Sequence, residues 1–294
     1  MNRNVMIIMN PKAGKGNGKS ALFTICDRFS KAQDHVHVYI TQSKGHAITL
    51  SKELGPSHDI LLCIGGDGTW NEVINGVLPL STQPHLAYLP SGTVNDFAST
   101  LKISKSPEKL MDTIERWNPF ACDIGLFNTR YFTYVAAFGI FTDVSYSTPQ
   151  QSKNMFGKVA YYLEGMKQLA NIPRYHIKLH VNGEMIEDDY MFGCITNSKY
   201  VAGFTTVSTK HAQLDDGLFE ILMIRTPNNP LDAQVIIAAL LKREVNHDWM
   251  YFTTASSLDI ESVEDIPWTL DGEDGGSTTL AHIENKNKAV TILV

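Results

Sequence analysis

Cysteine is scarce in this sequence. Its four cysteines, at 26, 63, 122 and 194, form no C-x-x-C pair. That spacing argues against a disulfide framework and against a cysteine-based zinc site. Cys26, Cys63 and Cys194 sit in apolar runs, as buried free thiols of a reducing compartment do. A basic surplus is missing too: the formal net charge is −6, which argues against a general nucleic-acid binder, and no nucleic-acid partner is expected. No apolar run approaches the roughly 18 residues of a membrane span. The N-terminal MNRNVMIIMNPKAG has too short an apolar stretch for a signal peptide and no cleavage pattern. The expectation is a cytoplasmic protein whose membrane contact, if any, is peripheral and at the inner face. There is no internal repeat and no low-complexity stretch.

What is present is an ordinary globular composition, 294 residues at 43% hydrophobic and 19% charged. That is enough for a sizeable core and, by length, two domains. Charge is unevenly spread. Residues 1–26 hold Arg3, Lys12, Lys15 and Lys19 and no acid, whereas Lys and Arg are absent between Glu244 and Glu284. Two solvated surfaces would account for this. The sharper reading is an anion-binding end and an acidic end able to hold a metal or supply a base.

Up to about residue 125 short apolar runs alternate with helix-like segments. VMIIMN (5–10), HVHVYI (35–40), DILLCIGG (59–66) and HLAYLP (85–90) read as strands, the third buried on both faces. Leu22, Ile25, Cys26 and Phe29 repeat at helical spacing, as do Trp70, Val73, Ile74, Val77 and Leu78, and residues 43–54 read as a helix ended by Gly55-Pro56. This repetition predicts an α/β domain over residues 1–125 with a mainly parallel sheet. Residues 126–294 read as a β-rich domain, antiparallel and sandwich-like, interrupted by helices near 155–170 and 230–243. Its VNGE (181–184) is a hairpin signal. The extreme C-terminus is a candidate to return to the first domain.

The chemistry is carried by loops at predicted strand ends. Gly65-Gly66-Asp67-Gly68-Thr69 joins the third strand to a helix. Its glycines allow a tight turn and close approach of a ligand, Thr69 or Asp67 can cap the helix, and the helix N–H groups can receive an anion. An aspartate beside an anion site suits a nucleoside triphosphate with Mg²⁺; a plain strand-to-helix turn is the competing reading. NPKAGKGNGKS (10–20) departs from the phosphate-cradling G-x-x-x-x-G-K-[ST] pattern by one residue, Ala13 in place of the first glycine. LPSGTVNDFA (89–98) offers Ser91, Thr93, Asn95 and Asp96 to ribose, base or phosphate.

In this order and spacing, NPxAG, GGDGTxNEVxNG and PxGTxNDFA resemble the bacterial diacylglycerol kinases and related lipid kinases. GKVAYY (157–162), AQLDDGLFEI (212–221) and LDGE (270–273) extend the resemblance over nearly the whole chain. It implies a first domain of phosphofructokinase and NAD-kinase type. It also implies an ATP- and Mg²⁺-dependent kinase that moves the γ-phosphoryl group to a lipid hydroxyl, diacylglycerol by default, in a cleft between the domains. Carried over by position, ATP is bound by Asn10, Pro11, Lys12, Ala13 and Gly14, by Thr41, by Gly66, Asp67, Gly68, Thr69, Trp70, Asn71 and Glu72, and by Thr93. Glu273 is the general base, with Asp67 the other catalytic candidate. A structural Mg²⁺ falls to Asp216 and to the backbone carbonyls of Gln213 and Leu218. Family members often pair as homodimers.

An NAD-kinase-like phosphotransferase and a non-catalytic nucleotide- or lipid-binding regulator are the competing functions. Asp96, Asp123 and Lys158 are a candidate charged cluster. Trp70 reads by its periodicity as core. Tyr131, Phe132, Tyr134, Phe138 and Phe141 read as β-domain core before lipid pocket.

Overall fold

The computed structural model describes residues 2–14, 17–93, 95–140, 172–197, 214–242 and 244–294. The chain divides into two compact units, Met1–Ile124 with Lys288–Val294, and Gly125–Asn287.

In the first unit, β1 (Asn4–Met9), β2 (His35–Ile40), β3 (Ile60–Gly65) and β4 (His85–Pro90) pair in parallel in the order β2-β1-β3-β4. The central strands β1 and β3 are almost wholly buried, as their unbroken apolar sequences require. β2 is largely exposed, and its histidines alternate with valines. The helices are α1 (Asn17–Lys31), α2 (His46–Leu54), α3 (Asp67–Val77), α4 (Asp96–Thr100) and α5 (Pro107–Arg116). Ile25 and Phe29 of α1, with Leu110, Met111 and Ile114 of α5, cover β1, β3 and β4 in one apolar cluster. Helix α5 begins at Ser106, whose hydroxyl accepts the Lys109 N–H, with Pro107 in its first turn.

Strand β5 (Pro119–Phe127) starts in the first unit. There Asp123 is fully buried and accepts the Lys288 N–H at 2.6 Å. Residues 288–294 belong to the same unit: Ile292 pairs in parallel with Leu86 of β4, and the Asn118 side chain donates to the Val294 carbonyl at 3.0 Å.

The second unit contains β6 (Arg130–Phe132), β7 (Val135–Gly139), β8 (Tyr175–Val181), β9 (Glu184–Thr196), β10 (Phe219–Arg225), α6 (Pro230–Lys242), β11 (Met250–Ala255), β12 (Ser257–Leu270) and most of β13 (Glu273–Leu293). Its ladders are antiparallel. β8 turns into β9 through Asn182-Gly183, where the hairpin is expected. Strands β9 and β12 each serve two partners: one half of each pairs with β8 and the other half with β7. The four strands therefore close on one another around Phe138, Tyr190, Ile260 and Trp268. Phe132 and Phe138 are fully buried here, as core rather than pocket lining; Phe141 lies outside the described residues, as does the helix expected at 155–170.

All four thiols are free and three are buried. Burial pushes Cys194 up to about 12, which leaves it an unreactive apolar residue.

On the solvent side of the β8–β9 hairpin, His176 bridges two carboxylates, Asp189 at 2.8 Å and Glu187 at 2.9 Å. Only an imidazolium donates from both nitrogens, and the two hydrogen bonds raise its pKa, Asp189 more than Glu187. The stabilisation is complete below about pH 6.5, the ordinary histidine value, and is lost as pH rises through the higher folded-state value. An NMR titration of the His176 ring is expected to show a midpoint above the ordinary value, lowered again by Asp189→Asn. A midpoint at the ordinary value in the unmodified protein would exclude the bridge.

Candidate active site

Because β1 to β4 are all parallel, their carboxyl ends lie on one edge of the sheet. The chain runs from β1 to β2 on one side, while β3 pairs on the other. The loops after β1 and β3 therefore diverge at a topological switch point, where open α/β sheets take their ligands.

Three loops are fastened together at this point. Asn10 donates its side-chain N–H to the Thr69 hydroxyl at 2.9 Å, bridging the β1 and β3 loops, and accepts the Lys12 N–H at 2.9 Å. Gly14, at φ +65, runs so close to the β4 loop that a side chain there would meet the Ser91 carbonyl oxygen at 2.0 Å. A Cβ on Gly92 would stand 2.7 Å from the Gly66 Cα. The close approach that glycine permits is here that of another loop's backbone. Asn95, fully buried at φ +58, holds the β4 loop by accepting the Gly92 N–H at 3.0 Å and donating to the Gly92 carbonyl at 2.6 Å. Its side chain is thus committed to the loop itself.

Helix α3 opens from this junction. Its N-cap is Gly66, with no side-chain cap, so neither Thr69 nor Asp67 caps it as the sequence suggests. The Thr69 hydroxyl is taken by Asn10, and an Asp67 oxygen accepts the Asp96 N–H at 3.2 Å. The Trp70 N–H already bonds Gly66 at 3.0 Å. The first turn of a helix is where anions are received, and that of α3 starts at Asp67. The Ser91 hydroxyl oxygen, at the same edge, is buried without a partner among the described residues. Such an atom calls for a ligand or water.

Two residues of the carried-over nucleotide set do other work. Trp70 is fully buried, stacked on Tyr88 at 4.8 Å and packed against Phe97 at 5.3 Å. With its N–H also used inside the helix, it is core, as its periodicity indicates. The Glu72 carboxylate accepts the N–H groups of Gly45 (2.7 Å) and Ala47 (3.1 Å), capping α2 from a distance. The others stay at the edge. Pro11 and Lys12 are exposed, Gly66, Asp67, Gly68 and Asn71 are half-buried, and Thr93 is exposed. Thr41 is buried beside the end of β1, its N–H on the Met9 carbonyl at 2.9 Å.

In the second unit Glu273 is half-buried and begins β13 directly after a two-residue turn, Asp271-Gly272, with φ +52 and +78. The anchor of this turn is a residue the sequence analysis passes over. Buried Asp271 accepts the Thr133 N–H (2.7 Å) and hydroxyl (2.8 Å) and the N–H groups of Tyr134 (2.9 Å) and Val135 (3.2 Å). Burial raises its pKa, against the opposing pull of these four donors. The Asp-Gly pair between two strand-like segments is the sequence signal for such a turn.

Asp216 accepts the Leu218 N–H at 3.0 Å, which puts both residues in one tight turn. Gln213 and Lys158 lie outside the described residues. Among the described residues no three His, Cys, Asp or Glu side chains converge on a metal position. Of the carried-over Mg²⁺ set, Asp216 and Leu218 are among the described residues, and a carboxylate is a hard oxygen donor of the kind Mg²⁺ takes.

A parallel α/β unit whose loops meet at a topological switch point, followed by an antiparallel β unit, defines a two-domain α/β-plus-β class. Residues 4–126 match the model of the diacylglycerol kinase catalytic domain, and residues 135–294 that of the YegS C-terminal NAD kinase beta sandwich-like domain. The chain is similar to the diacylglycerol kinase of Staphylococcus carnosus (strain TM300), 32% identical over 277 residues, 94% of this chain and 90% of that one. It is similar also to that of Bacillus subtilis (strain 168), 32% identical over 272 residues, 92% and 89% of the two chains. A crystal structure from Bacillus anthracis str. Sterne, described as a proposed diacylglycerol kinase, is 26% identical and covers 99% of this chain and 96% of its own, with a TM-score of 0.79. This chain belongs to the diacylglycerol kinase family, a family of lipid kinases.

Asp271→Asn keeps the size but replaces one acceptor oxygen by a donor that faces N–H groups. A loss of roughly 3 kcal/mol in unfolding free energy is expected, measured by urea titration. A loss within error of zero would show that the turn does not depend on this carboxylate.

Proposed function

We propose that the chain is an ATP- and Mg²⁺-dependent kinase that transfers the γ-phosphoryl group of ATP to a lipid hydroxyl, with diacylglycerol as acceptor and phosphatidic acid as product. The observation that carries this reading is the fastening of three loops at the switch point, with helix α3 opening from it. Phosphoryl transfer needs positioning and charge neutralisation more than covalent chemistry, and such a junction supplies fixed backbone donors. The acceptor is taken from the family's named members.

In this reading the amides of residues 67–69 and the exposed Lys12 hold the phosphates. The Asn10–Gly14 loop, Thr41, Asn71 and Thr93 line the nucleotide, and Ser91 joins them through its buried hydroxyl. Trp70 and Glu72 support the site from behind. Asp67 positions the catalytic Mg²⁺, while Asp216, with the carbonyls of Gln213 and Leu218, holds a structural one. When bound, the cation neutralises charge on the transferring phosphate. Glu273 accepts the proton of the attacking hydroxyl, with Asp271 fixing the turn on which it stands. The first unit is assigned to nucleotide binding and the second to the acceptor.

With γ-labelled ATP and Mg²⁺, label is expected in diacylglycerol from a panel of lipids and not in NAD. Label in NAD alone would establish an NAD kinase instead. Glu273→Gln is expected to lower kcat at least a hundredfold, the range of a general base, while ATP binding by calorimetry is unchanged. Full activity would remove Glu273 from that role. In a separate measurement, Gly92→Ala, which forces apart the β3 and β4 loops, is expected to raise the KM for ATP about tenfold or more. An unchanged KM would mean that the loop junction is not where ATP sits.

A further inference from the structure

At the amino edge of the first unit's sheet, opposite the loop junction, lies a cavity of about 630 Å³. Its residues stand where strands begin: Arg3 precedes β1, Asp59 precedes β3, and His85 opens β4. The length of a six-residue strand puts it about 20 Å from the junction. The volume is in the range of pockets that take small organic molecules.

One wall is a row of three groups. The Arg3 guanidinium carbon is 5.6 Å from the centre of the Trp117 ring, and the His85 ring tilts against that indole at 4.8 Å. Trp117 remains 37% exposed. Arg3 is held firmly: its Nε and Nη2 donate to Asp34, whose side chain is fully buried. Arg3 Nη1 has no partner among the described residues, and neither ring nitrogen of His85 has a hydrogen bond there. The remaining lining is polar. Asp59 accepts the Asn4 N–H with one oxygen at 2.7 Å and keeps the other for a hydroxyl donor. Gln83 donates to the Leu78 carbonyl at 3.5 Å and keeps its amide oxygen, and the Thr82 hydroxyl lies beside it.

We propose that this cavity binds a nucleoside monophosphate, at a site separate from the candidate active site. The assignment follows from the three kinds of group brought together. An arginine fixed by a buried carboxylate, with one nitrogen still to donate, receives a phosphate through a charge-assisted hydrogen bond. The exposed indole of Trp117 and the His85 ring offer flat surfaces on which a base stacks. Asp59, Thr82 and Gln83 suit the hydroxyls of a ribose. An inorganic anion would use the first group alone. The inference does not depend on the lipid-kinase reading.

The test is a calorimetric titration of the full chain with adenosine 5′-monophosphate. Mg²⁺ and a saturating non-hydrolysable ATP analogue are present, so that the candidate active site is filled. One molecule per chain is expected to bind and to quench tryptophan fluorescence. Trp117 is the C-cap of α5 at φ +50, a conformation glycine adopts readily. Trp117→Gly is therefore expected to keep the melting temperature, weaken binding about tenfold or more and abolish the quenching, with binding of the ATP analogue unchanged. Should it lower the melting temperature, Trp117→Asn reads the same loss. Arg3→Lys keeps a positive charge against Asp34 but removes Nη1. It is expected to weaken binding of the monophosphate about tenfold and leave that of adenosine unaltered. Absence of binding with the analogue in place would overturn the proposal, as would equal affinity in Trp117→Gly. Inorganic phosphate that binds as tightly as the nucleotide would overturn it too. If the nucleotide binds here and the protein phosphorylates no lipid, this site stands and the lipid-kinase reading falls.

Discussion

The loop junction of the first unit depends on how closely bare backbone can approach bare backbone. At the switch point the loops after β3 and β4 touch through Gly66 and Gly92, and the loop after β1 lies under the Ser91 carbonyl at Gly14. One methyl group at Gly14 or Gly92 would push the loops apart. Once they are in contact, side-chain bonds of ordinary length lock them: Asn10 to Thr69 across two loops, Asn95 to Gly92 within one. Donors held this way need no rearrangement when charge arrives, which is the condition for strong electrostatic stabilisation of a transferring phosphate.

A similar economy governs the second unit, by opposite means. There a buried carboxylate rather than an absent side chain fixes the geometry. Asp271 spends its acceptor capacity on the Thr133–Val135 segment, tying the β12–β13 turn to the start of β7. Glu273, two residues on, inherits that fixed position. The family motif LDGE therefore combines a structural acid with a candidate chemical one, and a resemblance that names only the second misses the first.

Much of this was legible locally. β2 and β4 occupy the segments HVHVYI and HLAYLP, and the Asn182-Gly183 turn falls where its dipeptide places it, because periodicity and turn chemistry act over a few residues. The periodicity of α3 marks Trp70 as core, whereas carrying over a motif as a block puts it among ligand contacts; the local pattern was the better guide. Glu72 could not be read, because its partners at Gly45 and Ala47 are brought to it only by packing of α2 against α3. The lengths of β12 and β13 were hidden too. Their outward positions are polar, and register shifts between Glu261 and Ile266 and between Trp268 and Thr269 break the alternation. Helix α5 carried a readable start at Ser106-Pro107 that the apolar pattern overshadowed. Which loops would touch depended on the strand order, and strand order is a property of the whole sheet.

The placement of residues 288–294 has a further consequence, for synthesis. β4 is complete as an element by residue 90, yet the strand that pairs at its outer edge comes two hundred residues later, after the entire second unit. While the chain is being made, that edge is bare, and bare parallel edges are open to mispairing. The first unit therefore completes this edge only after the second unit has been made. That edge waits on a sequence-distant partner, and non-local pairing of this kind is slow to form.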